Sequence, residues 1–360
     1  MAVSTHDTKR SADARARLDA LAEIAPRWRR LVARWRDRHA ALRGPVDGRP
    51  GRAPDAGIEV MLYQTLVAVW PADGRFALDA DRADPAFAER VQGYLTKAAR
   101  EAKLYTTWTT VRDEYEAGVR AFADALLAGD AGAEFRRELT TLVGRVAGAG
   151  AWTSLARTVL YAAGPGTPDV YQGDELWSLA LVDPDNRRPV DWAARAELLY
   201  VAEHGNGEEA AWWRAALADA PRSAGEVKLR LLHRLLRARR ADPALFTDGA
   251  YAPLAAEGAR AAHVVAFART AAAGDGGPAR AIVAVAPRLV LGIARDGAPP
   301  VGDRWGDTRV ALPAVAAGAR WTDLVTGRPI AAAGGVVRLA DLLDAAPVAL
   351  LGTEVAAGAA

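Results

Sequence analysis

Three short segments concentrate the residues that could do chemistry. Thr5–Arg10 reads THDTKR: a histidine beside a carboxylate, with two bases just after. At the end of a presumed strand and just before a capped helix, such a pair sits where strand-to-loop transitions present catalytic groups in barrel enzymes. Gly166–Glu175 reads GTPDVYQGDE, where glycine and proline fix a tight entry and Asp174 and Glu175 leave side by side. Asp183–Trp192 reads DPDNRRPVDW, with Asp183, Asp185, Asn186, Arg187 and Arg188 crowded around Pro184. Planar guanidinium and carboxylate groups each make two directed bonds, which suits the vicinal hydroxyls of a sugar. None of the three is specific alone. A bare His-Asp pair is more often structural, the second segment could be a turn with solvated acids, and the third could be an internal ion-paired loop.

The elements around them read as helices first and strands later. Ser11 can cap a helix running to about Ala25, where Pro26 stops it. Trp28, Leu31, Val32, Trp35 and Leu42 form one face of a second helix, whose arginines, Arg29, Arg30, Arg34, Arg36 and Arg38, read as a solvated face. Residues 43–57 are rich in Gly and Pro and read as a loop. Helices are expected at Ile58–Trp70, from Asp84-Pro85 onward, and near 111–128, 133–147 and 149–162. A short strand is expected at Asp169–Tyr171. Ser223 and Glu226 form a capping box for a helix to about Arg240, which Asp242-Pro243 ends. Beyond Phe246 the runs HVVAFAR, ARAIVAVAP, TRVALP, RWTDLVTG, GVVRLADLL and PVALLG predict a small antiparallel sandwich. A domain boundary is placed near residue 244, giving domains 1–244 and 245–360.

Composition bounds the function classes. The 360 residues are 51% hydrophobic and 25% charged, enough for two packed cores. A net charge of +2 gives no reason to expect nucleic acid or an anionic membrane as partner. With no cysteine, disulfides and thiolate metal sites are ruled out, which fits a cytoplasmic location. No signal-like segment or apolar span of about 18 residues is present. The 11 tryptophans are many for this length; they serve as core or as sugar-stacking platforms, and their number does not choose.

In order and character, the three segments resemble the end of an α-amylase-superfamily barrel: the His-Asp of the seventh strand, the eighth strand, and the DPDNRRP loop behind it. STHDTKRSADARARL, MLYQTLVAVWP, KAAREAKLYTTW and PDVYQGDELWSLALVDPDNRRPVDW narrow the resemblance to the maltooligosyl trehalose synthases, and WGDTRVALP and RWTDLVTG look like that family's closing sandwich. The resemblance covers about Ser4 to Thr353. It implies an α/β fold: the C-terminal part of a (β/α)8 barrel, strands seven and eight, with a helical insertion over about 58–147 and then the sandwich. It also implies a chemistry, conversion of the reducing-end α-1,4 bond of a maltooligosaccharide into an α,α-1,1 bond by a retaining mechanism, with no cofactor and no metal. Asp7 matches the carboxylate that stabilises the oxocarbenium-like transition state, and His6 its neighbour on the same ring. Lys9 and Arg10 would line the acceptor side, and Asp183, Asn186 and Arg187 would contact the glucan.

The superfamily's nucleophile and general acid lie on the fourth and fifth strands, before the point where this sequence starts. Glu101, Asp174 and Glu175 match no motif that would replace them. The expectation is therefore a fragment without transglucosylation of its own, partnered by α-glucan and by a separately encoded N-terminal half. Two alternatives stay open: another glucan hydrolase or transferase of the superfamily, and a non-catalytic glucan-binding fragment. A nucleic-acid role for the arginine-rich helix is more remote.

Overall fold

The computed structural model describes residues 2–71, 83–205, 208–221, 223, 225–273 and 279–353. Contacts divide the chain into two units. One comprises His6–Ala147 with Leu179–Arg188; the other comprises Met1–Thr5, Gly148–Ser178 and Pro189–Ala360.

The first unit is helical because its apolar residues recur at helical spacing and its helix starts carry caps. Helix α1 spans Ala12–Glu23, with the Ser11 hydroxyl accepting from the Ala14 amide, and α2 spans Ala25–Arg38, with Pro26 in its first turn. Pro26 thus opens the second helix as well as ending the first, since a first-turn amide has no helical partner to lose. The stretch read as a loop contains a hairpin, β1 (Gly44–Val46) and β2 (Arg49–Ala53). Asp47 and Gly48 both have positive φ, 52° and 70°, the backbone of a two-residue mirror-image turn. Helix α3 (Ala56–Val69) is capped by Asp55, α4 (Pro85–Ala102) by Asp84, and α5 spans Asp113–Leu127. Trp35 sits at the centre of the core, edge-on to Phe135 at 4.8 Å and to Tyr63 at 5.3 Å. Three of the five arginines on the supposedly solvated face are engaged: Arg34 pairs with Glu138, Arg36 with Glu59, and Arg38 with Glu134 and Glu138.

The helices expected at 133–147 and 149–162 are one helix, α6 (Ala133–Ala163). The glycines between them carry a propensity cost but break nothing. Gly148 has a packing reason to be glycine, since a Cβ there would fall 2.1 Å from the Gly297 carbonyl oxygen.

In the second unit, the strand expected at Asp169–Tyr171 is reduced to one parallel bridge, Ala2 to Asp169, followed by a turn closed from the Asp174 amide to the Tyr171 carbonyl. So few residues between the positive-φ turns at Gly166 and Gly173 cannot extend a ladder. Helices α7 (Trp192–His204), α8 (Glu209–Leu217), α9 (Glu226–Ala241) and α10 (Pro243–Thr247) follow. The capping box of α9 is replaced by a left-handed Gly225, whose amide donates to both the Ser223 hydroxyl and the Glu226 carboxylate.

The strands are β3 (Ala250–Leu254), β4 (Ala256–Glu257), β5 (Val264–Ala271), β6 (Arg280–Pro287), β7 (Arg309–Ala311), β8 (Trp321–Asp323), β9 (Pro329–Ile330), β10 (Val336–Arg338) and β11 (Ala349–Thr353). They form two antiparallel sheets, ordered β3-β5-β6-β11-β8-β9 and β10-β7-β4. One apolar core, including Val283, Trp305, Val310, Trp321, Leu339 and Leu351, draws on both. Pro253 lies on β3 at a sheet edge, where a missing amide costs no ladder bond. In GVVRLADLL only the first half is strand; LADL is one helical turn, α11 (Leu339–Leu342). Helices give way to strands near residue 244, yet contacts group α7 to α10 with the sheets.

Candidate functional site

The first unit brings two of the three sequence segments together. Arg10 forms an antiparallel bridge with Leu181, and the Ser11 amide donates to the Ala180 carbonyl at 2.9 Å. That junction sets residues 179–188 against the start of α1. Asn186 then donates its amide to the His6 carbonyl at 2.8 Å, so the DPDNRRP loop holds the His-Asp backbone directly.

Asp185 is the pin of this loop. Its two oxygens accept from Arg90 Nε, each at 2.8 Å, and one also accepts the Leu181 amide at 2.7 Å. Arg188 adds an ion pair at 2.7 Å. Burial pulls the Arg90 guanidinium below its ordinary pKa, and Asp185 opposes that shift by charge and hydrogen bond. Helix α4 supplies two more fasteners. Lys97 donates to the Asp183 carbonyl at 2.9 Å, and Glu101 receives Lys9 Nζ at 2.6 Å.

With the backbone so held, the side chains left outward are those with chemical capacity. His6 Nε2 lies 3.2 Å from Asp7 Oδ2, their side chains 53% and 86% exposed. Arg187 pairs with Asp183 at 2.9 Å and stays half-exposed. Carboxylate, imidazole, ammonium and guanidinium groups thus share one surface, an arrangement that can bind vicinal hydroxyls and stabilise positive charge on a sugar ring.

Of the residues singled out from the sequence, His6, Asp7, Lys9, Asp183, Asn186 and Arg187 share this constellation. Arg10 points elsewhere: it donates to the Thr65 hydroxyl at 2.9 Å and lies 5.5 Å over the Tyr94 ring, so it holds α3 and α4. The remaining segment, Gly166–Glu175, serves its own unit. Asp174 is buried, and Glu175 pairs with Arg195 at 3.0 Å, which also donates to the Gly173 carbonyl. Sequence reasoning missed Lys97 and Arg90. Their partners lie 86 and 89 or more residues away; Lys97 opens the motif KAAREAKLYTTW, whereas Arg90 lies outside every segment singled out above.

The fold defines a class first: it is similar to that of solved maltooligosyl trehalose synthases. The maltooligosyltrehalose synthase of Arthrobacter ramosus aligns with 98% of this chain at 36% identity and a TM-score of 0.71. The hypothetical maltooligosyl trehalose synthase of Sulfolobus tokodaii aligns with 97% at 25% identity and a TM-score of 0.63. The provisionally named maltooligosyl trehalose synthase of Mycobacterium tuberculosis (strain CDC 1551 / Oshkosh) is 34% identical over 349 residues, 97% of this chain. No protein-family model matches. The chain therefore resembles maltooligosyl trehalose synthases along nearly its whole length, and it spans 37–38% of theirs. Among the described residues no helix is long and apolar enough to cross a membrane.

Proposed function

We propose that this chain supplies the C-terminal wall of an α-glucan-rearranging site that forms an α,α-1,1 bond at the reducing end of a maltooligosaccharide. The carrying observation is the exposed His6–Asp7 pair whose backbone is fastened by Asn186. Asp7 would place negative charge beside an oxocarbenium-like sugar, and His6 would hydrogen-bond the same ring. Asp183 and Arg187 would grip hydroxyls of the glucan, and Lys9 would sit on the acceptor side. Arg10 would position this wall from behind. The nucleophile and general acid would come from polypeptide outside this sequence, as would the other barrel strands; the two sheets would be the closing sandwich. This reading rests on the resemblance to the named synthases together with the geometry of the first unit. It takes no cofactor.

The test is direct. Purified chain is incubated with maltopentaose while binding and reducing ends are followed. Saturable binding with no loss of reducing ends is expected. Turnover to a non-reducing product would refute the division of labour, and a rise in reducing ends would favour a hydrolase. Binding that is indifferent to Asp7→Asn and His6→Ala would favour a non-catalytic glucan-binding module.

A further inference from the structure

The segment that joins α4 to α5 is held more firmly than a surface loop requires. Lys103 leaves α4 in the left-handed conformation. Tyr105 stacks on Tyr115 at 4.9 Å, and the Thr106 hydroxyl donates to Glu116 at 2.6 Å while accepting the Arg112 amide. The Thr107 amide donates to the Thr110 carbonyl, and the Thr110 amide donates back to the Thr107 hydroxyl. Glu116 is itself gripped by Arg100 through two bonds of 2.8 and 2.7 Å, a pairing that lowers the Glu116 pKa.

At the tip of this braced turn stands Trp108. Its ring lies 5.0 Å from the Arg100 guanidinium, and the residue is 56% exposed. A guanidinium fixed by a bidentate carboxylate cannot slide away, so the indole plane is set before anything binds. Leaving an indole in water forgoes a large burial gain, and nothing in the folding of the turn calls for it. The next residue along α4, Glu101, is the one that holds Lys9 of the His6–Asp7 constellation.

We propose that Trp108 is a stacking platform for a pyranose ring of the α-glucan, a subsite on the edge of the surface carrying Asp7. The axial C–H groups of a glucose ring make one of its faces apolar, and that face matches an indole. This inference rests on the α-glucan reading given above and names a residue that reading does not use.

Maltoheptaose titrated into the purified chain, followed by calorimetry, tests it. Trp108→Ala and Trp108→Leu are each expected to weaken binding by about tenfold, while Trp108→Phe stays within roughly threefold of wild type. Melting temperatures of all three should match wild type, because the ring buries little. Equal affinity across wild type, Ala and Phe variants would overturn the platform and leave the glucan reading standing. No binding of maltoheptaose by the wild-type chain would overturn both.

Discussion

The helical unit contains two clusters of the same ingredients, a histidine, carboxylates and bases, and they do opposite work. In the buried one, Glu59 accepts from Tyr63, Arg36 and Arg43, and His39 Nδ1 donates to the Tyr63 oxygen at 3.0 Å. Both His39 and Glu59 have no exposed surface. Burial, with Arg38 adding, pushes the His39 pKa down to about 4, so the ring stays neutral, and burial beside Glu59 raises the Tyr63 pKa. In the exposed cluster the fasteners go to backbone carbonyls of His6 and Asp183, and the side chains of His6, Asp7 and Arg187 face water. A cluster whose charges are spent on one another holds a fold. One whose backbone is held and whose charges remain outward can meet a ligand.

Breaking the buried cluster should have the largest effect. Glu59→Ala strands two guanidinium groups and a phenol and should cost on the order of 3–5 kcal/mol in chemical denaturation. A loss under about 1 kcal/mol would mean the two clusters do not differ as described. Asp185→Ala comes next, since Arg90 loses its partner and Leu181 an amide acceptor. About 2–4 kcal/mol is expected, accompanied by weaker maltopentaose binding as the Asn186 loop loosens.

The pH dependence sharpens the same contrast. The folded pKa of His39 is depressed from 6.5 to about 4, so its contribution is present above pH 6.5 and is lost as pH falls toward 4. That interval corresponds to roughly 3 kcal/mol, and His39→Gln should flatten the stability profile across it. Asp323 acts in the opposite sense. Complete burial raises its pKa from 3.8 to about 6, against hydrogen bonds from Thr326, Val325 and Leu350, so its contribution grows as pH falls from 6 to 4. Asp323→Asn should remove that opposing component. The smallest effect belongs to the exposed cluster: Lys9→Ala breaks an ion pair but should change stability by less than about 1 kcal/mol. A larger loss would place Lys9 with the structural set.

Local chemistry explains how much of this could be read in advance. Ser11, Asp55 and Asp84 cap helices because a short side-chain oxygen reaches orphan amides within three residues, a purely local event. Asp47-Gly48 carried an equally local turn signal, but the surrounding Gly and Pro masked the hairpin. The continuity of α6 could not be read, because the reason for Gly148 is its close packing on Gly297, 149 positions on. In the site, the resemblance supplied His6, Asp7, Asp183, Asn186 and Arg187. The pin formed by Arg90 and Asp185, and the inward turn of Arg10 onto Thr65 and Tyr94, depend on contacts across 55–95 residues, which no spacing rule reaches.

The proposed function depends most on Asp7 presenting its exposed carboxylate to a sugar ring. Its clearest measurement is turnover of maltopentaose by an enzyme joining this chain to the remaining length of its relatives, with Asp7 against Asp7→Asn. A fall of about a hundredfold or more in kcat at unchanged melting temperature is predicted. Unchanged turnover would contradict the assignment.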